Sequence, residues 1–188
     1  MESSQNTALV IIDVQDAILK GLGGYRHSEI QTALDATVMR IAELLAKARR
    51  SGIPVIHVQH DGAAGHRLEP GQPGWAIRRE VAPNGRETVV RKHACDAFFE
   101  TPLESELRRN GIKRLVIAGC MTEYCTDTTV RRAVSLGFDV ILAADGHMTA
   151  DANGLRFEQI IAHHNAVLDG FDAGPHAVKV IPTAEIQF

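Results

Sequence analysis

The chain has 188 residues, a formal net charge of -3, 45% hydrophobic and 23% charged residues, a balance that excludes a disordered or fibrous chain and fits one globular domain spanning 1–188. Basic and acidic residues are interspersed, so there is no electropositive footprint for nucleic acid, and no apolar run reaches the length that spans a bilayer. The start MESSQNTALVIIDVQ has neither a basic leader region nor a cleavage site, and Cys95, Cys120 and Cys125 cannot all pair within the chain; both features point to a reducing, cytoplasmic setting.

The first element is the β-branched run Ala8–Ile12, which reads as a buried strand. Leu34, Val38, Ile41, Leu45 and Ala48 then recur four and three apart and make one apolar helix face, ended by Ser51-Gly52 with Pro54 beyond. A second strand, Ile53–Val58, precedes an irregular stretch from His60 to Gly74, rich in Gly, Pro and His, of the kind that serves as an active-site loop. Next come a strand at Thr88–Val90, a helix from Pro102 to Arg109 stopped by Asn110-Gly111, and a strand at Leu115–Ala118. A helix from about Tyr124 to Leu136, a strand at Val140–Ala143, a helix from Leu155 to Leu168 and a strand at Val178–Ile181 complete the series. Alternation of this kind predicts a three-layer α/β/α sandwich around a mostly parallel, doubly wound sheet, because parallel strands require crossover connections.

Ligands of such sheets bind beyond the carboxyl ends of the strands. Asp13 directly follows the first strand, Lys92 follows the third almost at once, and Cys125 lies in the turn after Leu115–Ala118 where a helix begins. A thiol attacks well only as thiolate, which a helix N-terminus and an ammonium stabilise, and a neighbouring carboxylate can take its proton and later return it. Taken singly, an Asp after a strand is a turn residue, a Lys is a solvated charge and a Cys is inert core.

Together their contexts form a pattern. Gly119-Cys120-Met121-Thr122-Glu123-Tyr124-Cys125, followed by Thr128-Thr129-Val130-Arg131-Arg132-Ala133 and Gly137, resembles the nucleophile turn of the isochorismatase-like cysteine hydrolases. Ile11-Ile12-Asp13-Val14-Gln15 resembles the family's first strand, and Val90-Arg91-Lys92 with Asp96-Ala97-Phe98 its lysine segment. The resemblance covers nearly the whole chain in order. It implies a catalytic triad of Asp13, Lys92 and Cys125, a cis peptide between Cys120 and Met121, and an oxyanion hole from the backbone N–H groups of Met121 and Cys125.

The resemblance also implies a reaction, hydrolysis of an amide-type C–N bond of a small molecule through a thioester, with no cofactor. Members that cleave isochorismate lack the nucleophilic Cys, and nicotinamidases carry a metal-binding Asp-x-His that is absent here, where the region offers His57, His60, Asp61 and His66; no metal is expected. The aromatic residue that often follows the first motif in nicotinamidases is replaced by Ile18. His60-Asp61-Gly62 through Pro73-Gly74-Trp75 resembles the branch containing streptothricin hydrolase, which places Ile18, His60, Trp75 and Tyr124 near the substrate, Trp75 as a pocket wall or as part of a subunit interface. Family members commonly form dimers or larger oligomers, and the resemblance implies a homo-oligomer here. Cleavage of a carbamate or vinyl ether on the same scaffold, and a thiol sensor with Cys120 resolving an oxidised Cys125, are the alternative readings. Cys95 and Cys120 are expected as buried small residues, His163-His164 as a satisfied or solvated pair, and Arg131-Arg132 as surface or interface charge.

Overall fold

The computed structural model describes residues 6–188. The strands are β1 (Thr7–Ile12), β2 (Val55–His60), β3 (Thr88–Lys92), β4 (Arg114–Cys120), β5 (Asp139–Met148), β6 (Asp172–Ala173) and β7 (His176–Ile181). The helices are α1 (His27–Arg50), α2 (Leu103–Arg109), α3 (Asp127–Ser135) and α4 (Phe157–Leu168). They build one seven-stranded sheet in the order β3-β2-β1-β4-β5-β7-β6, with every neighbouring pair parallel except the short antiparallel β6–β7 edge.

The middle of the sheet is apolar on both faces because strands with helices above and below meet no water. All six residues of β1 are buried. Leu9 and Ile11 join one core with the α1 stripe of Leu34, Val38, Ile41, Leu45 and Ala48. Ala8, Val10 and Ile12 join the opposite core with Leu103 and Leu107 of α2, Val130 and Ala133 of α3, and Leu168 of α4. Burial of each large side chain in these layers contributes about 1.5–3 kcal/mol, so the alternation along β1 fixes the register between both helix layers.

Two departures from the expected elements matter for the site. Instead of one helix from Tyr124, the chain makes a π-helical turn over Thr122–Thr126 and only then enters α3. β5 runs on to Met148, and its pairing with β4 jumps from Ile117–Leu142 to Gly119–His147. The bulging residues, Ala144-Asp145-Gly146, lack the apolar pattern of a strand, which hid this extension; pairing to β4 rather than propensity carries it.

Since β1 leads outward to β2 and β3 while β4 leads to β5, the sheet reverses its winding between β1 and β4, and that switch point opens a crevice at their carboxyl ends. Gly119 makes the close passage possible. Its φ is +138°, and a Cβ there would collide with the Ile12 backbone. Gly111 also has positive φ, +67°, but open space around it. Gly119→Ala is therefore expected to lower the unfolding free energy by about 3 kcal/mol or more, and Gly111→Ala by about 1 kcal/mol. Urea titrations of the two variants check this; equal losses would remove the steric role given to Gly119.

Candidate active site

Asp13, Lys92 and Cys125 come from three different elements and meet in this crevice. Asp13 follows β1 with φ of 51°, a left-handed conformation that Asp tolerates better than most residues. Its N–H donates to the Val58 carbonyl (2.9 Å) and its own carbonyl accepts from Gln15 N–H (2.9 Å). Lys92 is the last residue of β3 and is buried. The Lys92 ammonium lies 2.6 Å from Asp13 Oδ2 and donates to the Ala94 carbonyl at 2.9 Å and to Cys125 Sγ at 3.2 Å. One cation thus joins the carboxylate to the sulfur. Cys125 lies on the π-helical turn, and the peptide between Cys120 and Met121 that leads into this turn is cis.

Burial raises the Asp13 carboxyl well above the ordinary carboxylate range, and the charge of Cys125 adds to the rise while Lys92 opposes it. Burial alone would lower the Lys92 ammonium, but Asp13 and Cys125 outweigh it and raise the group. A hydrogen bond with Cys95, then burial, pushes the Cys125 thiol up, against the pull of Lys92. The same hydrogen bond pulls the Cys95 thiol down to about 6, with Lys92 assisting. This corrects the expectation for Cys95, which is exposed rather than buried core; Cys120 is buried.

A cavity of about 370 Å³ opens over the sulfur, walled by Ile18, His60, Met121 and Tyr124, with Cys95 and Cys125 at its edge. Ile18, His60 and Tyr124 all border this cavity. His60 places Nδ1 3.4 Å from the Lys92 ammonium, and burial, followed by the charge of Lys92, lowers its pKa to about 4. Trp75 is not part of the cavity wall. Its indole N–H donates to Asp61 (2.9 Å), and the Arg91 guanidinium stacks on its ring at 4.6 Å. The Trp75 carbonyl accepts from the buried amides of Gln15 (2.7 Å) and Gln59 (2.9 Å). These bonds use Trp75 to hold the loop after β2 against β1, so its ring is spent on Arg91 and Asp61.

The potential metal donors are otherwise engaged. His57 bonds Glu87 (3.0 Å), Asp61 pairs with Arg91 (2.7 Å), and His66 Nδ1 accepts from Leu68 N–H (3.1 Å). Among the described residues no three His, Cys, Asp or Glu side chains converge as a metal site. His164 bonds Asp127 at 3.1 Å. Arg131 pairs with Asp127 at 2.9 Å, and Arg132 stands 3.8 Å from Asp96. Among the described residues no helix is long and apolar enough to cross a membrane.

Sequence reasoning missed His147. It is buried at the end of β5, with Nδ1 2.9 Å from the Thr122 hydroxyl and Nε2 2.9 Å from Asn165 Oδ1. Asn165 in turn donates to the Ala144 carbonyl. The last bond fixes the amide, so His147 Nε2–H donates and Nδ1 accepts from Thr122, which ties the nucleophile turn to β5 and α4 through a neutral ring. Only the β5 extension brings these groups together, and no local signal announced it.

The fold and site together define an open α/β domain with a Cys–Lys–Asp cluster at its switch point. The isochorismatase domain model matches residues 7–169, and the chain belongs to the isochorismatase family. It is 40% identical over 144 residues to streptothricin hydrolase of Streptomyces noursei, a match covering 77% of this chain and 50% of that protein; the chain thus corresponds to about half of that relative's length. It is 28% identical over 174 residues to the ureidoacrylate amidohydrolase RutB of Variovorax paradoxus (strain S110), covering 76% of this chain and 68% of that one. An isochorismatase crystal structure from Pseudomonas putida KT2440 superposes with a TM-score of 0.84 at 32% identity, over 97% of this chain and 90% of that one.

Burial lowers the pKa of His147 to about 4. Unfolded His147 takes up a proton near pH 6.5 that the folded protein refuses until about pH 4, so stability is full above 6.5 and declines as pH falls through that window. The expected loss from His147 is about 3 kcal/mol, and His60 contributes in the same direction. Urea titrations across pH 4–7 measure the decline, and the portion that His147→Gln removes is the His147 share. An identical slope in that variant would contradict this assignment.

Proposed function

We propose that the protein is a cysteine hydrolase that cleaves an amide-type C–N bond of a small molecule. The observation that carries this reading is the contact chain from Asp13 through the Lys92 ammonium to the Cys125 sulfur, set beneath a cavity at the switch point. The names of the relatives, a streptothricin hydrolase and an amidohydrolase, support hydrolysis at a C–N bond.

In this reading Asp13 accepts the Cys125 proton, and its raised pKa makes it a stronger base than an ordinary carboxylate. Lys92 stabilises the thiolate by charge. Sulfur attacks the substrate carbonyl carbon, and the C–O π electrons move onto oxygen, where the N–H groups of Met121 and Cys125 receive the oxyanion. The tetrahedral intermediate collapses with cleavage of the C–N bond as Asp13 returns the proton to the leaving nitrogen. Water, deprotonated by the same carboxylate, then attacks the thioester, releasing the carboxylic acid and restoring the thiol. Every step is proton or acyl transfer, so the proposed enzyme works without a cofactor.

Ammonia or amine release is measured over a panel of amides, cyclic amides and carbamates. Cys125→Ala is expected to lose at least about 10³-fold in kcat/KM, because a missing nucleophile leaves only binding and oxyanion stabilisation. Asp13→Asn should abolish hydrolysis while Cys125 still alkylates. Lys92→Met, in a Cys95→Ala, Cys120→Ala background, should move alkylation of Cys125 by iodoacetamide to higher pH and lower hydrolysis about tenfold or more. Undiminished hydrolysis by Cys125→Ala would refute the mechanism, and an unshifted alkylation profile in Lys92→Met would remove the lysine's role.

A further inference from the structure

Four charged groups other than histidines and thiols border the cavity over Cys125, namely Asp13, Arg67, Glu123 and Asp151. Two have a cation of the protein beside them, Asp13 the Lys92 ammonium at 2.6 Å and Asp151 the Arg26 guanidinium at 2.8 Å, which it shares with Glu29 and Glu158. The other two have no counter-ion among the described residues. The Arg67 guanidinium donates through Nε to the Ile18 carbonyl (3.0 Å), and its Nη2 lies 3.7 Å from Met121 Sδ. Among the described residues it pairs with no carboxylate. Glu123 sits two positions before the nucleophile on the same π-helical turn, and both of its carboxylate oxygens are buried without a hydrogen-bond partner.

Arg67 and Glu123 are half-buried, with the Glu123 oxygens shielded from water, and two charges without counter-ions beside one cavity favour a ligand that supplies them. The two groups differ in what they accept. Arg67 is oriented by its bonds to Ile18 and Met121, which leaves the remaining edge of its planar fork for an oxyanion, most favourably a carboxylate taken in two parallel bonds. Glu123 can only accept, so it calls for an N–H donor, best a charged one. Burial lowers the Arg67 pKa, in keeping with a cation that lacks its anion.

We propose that the cavity selects a zwitterionic small-molecule amide, whose carboxylate binds Arg67 and whose ammonium or amidinium group binds Glu123 while its scissile carbonyl lies over Cys125. This rests on the reading of Cys125 as nucleophile and narrows its substrate class. Arg67 and Glu123 would be specificity residues, since neither takes part in the proton and acyl transfers.

The test uses four matched amides on one scaffold, bearing neither charge, the carboxylate only, the ammonium only, or both. Wild type is expected to favour the zwitterion at least about tenfold in kcat/KM over either singly charged member, a difference equivalent to about 1.4 kcal/mol. Arg67→Gln should compress the advantage of the carboxylate, mainly through KM, with partial rescue by Arg67→Lys; Glu123→Gln should compress the advantage of the ammonium. A readout that needs no turnover is protection of Cys125 from iodoacetamide by the same four compounds, which should follow the same order. Equal hydrolysis and equal protection across the four, or variants that lower all four alike, would overturn the proposal. Charge-blind hydrolysis that still depends on Cys125 sinks the charge assignment alone, whereas hydrolysis that survives Cys125→Ala sinks the nucleophile.

Discussion

An ammonium and a carboxylate buried 2.6 Å apart dominate the physics of this molecule. Taking two such ions out of water costs several kcal/mol each, and their attraction offsets this only where the geometry is good and the remaining hydrogen bonds are made. Lys92 meets that condition with the Ala94 carbonyl and the Cys125 sulfur as further acceptors. Asp13 meets it less completely, since among the described residues Lys92 is its one ionic partner, and burial raises its proton affinity. Incomplete satisfaction of this kind suits the proton exchange with a neighbouring thiol that we propose for it.

The rest of the fold holds that cluster in place. Asp13 and Lys92 end strands separated by β2, and Cys125 enters from β4 on the other side of β1. Their meeting depends on the parallel register that pairs Ile12 with Val58 and with Gly119, and His60 with Lys92. The glycine at 119 permits the last approach. His147 and Asn165 then brace the turn that carries Cys125 with a chain of hydrogen bonds from Thr122 to the Ala144 carbonyl.

The long connection between β2 and β3 carries two short 3-10 turns, Pro73–Trp75 and Arg79–Val81, and borders the cavity with His66, Arg67 and Leu68. Gln15 serves as its main clamp, donating to the His60 and Trp75 carbonyls and accepting from His60 N–H. Gln15, two positions after Asp13, thus positions both ends of the segment that carries His60, Arg67 and Trp75. The loop bordering the cavity and the strand end that carries Asp13 are joined through this one buried amide.

Much of this was legible in one dimension. The apolar runs and the four-three spacing of α1 announced the layered fold, because burial of a strand or helix face leaves a local period in the chain. Asp13, Lys92 and Cys125 were legible as a group because each follows a strand and each carries a recognisable context. Local pattern could not decide where Trp75 turns, that Cys95 faces the cavity beside Cys125, or that Cys125 sits on a π-helical turn braced by His147. Nor could it show that Arg67 and Glu123 have no counter-ion among the described residues, since a charge is compensated or not by residues far away in the chain. The chain's own periodicity thus determined the elements and the chemistry available to them, whereas tertiary register alone decided which charges meet and which stay unpaired, because those energies depend on distance and burial between segments rather than on neighbours in sequence.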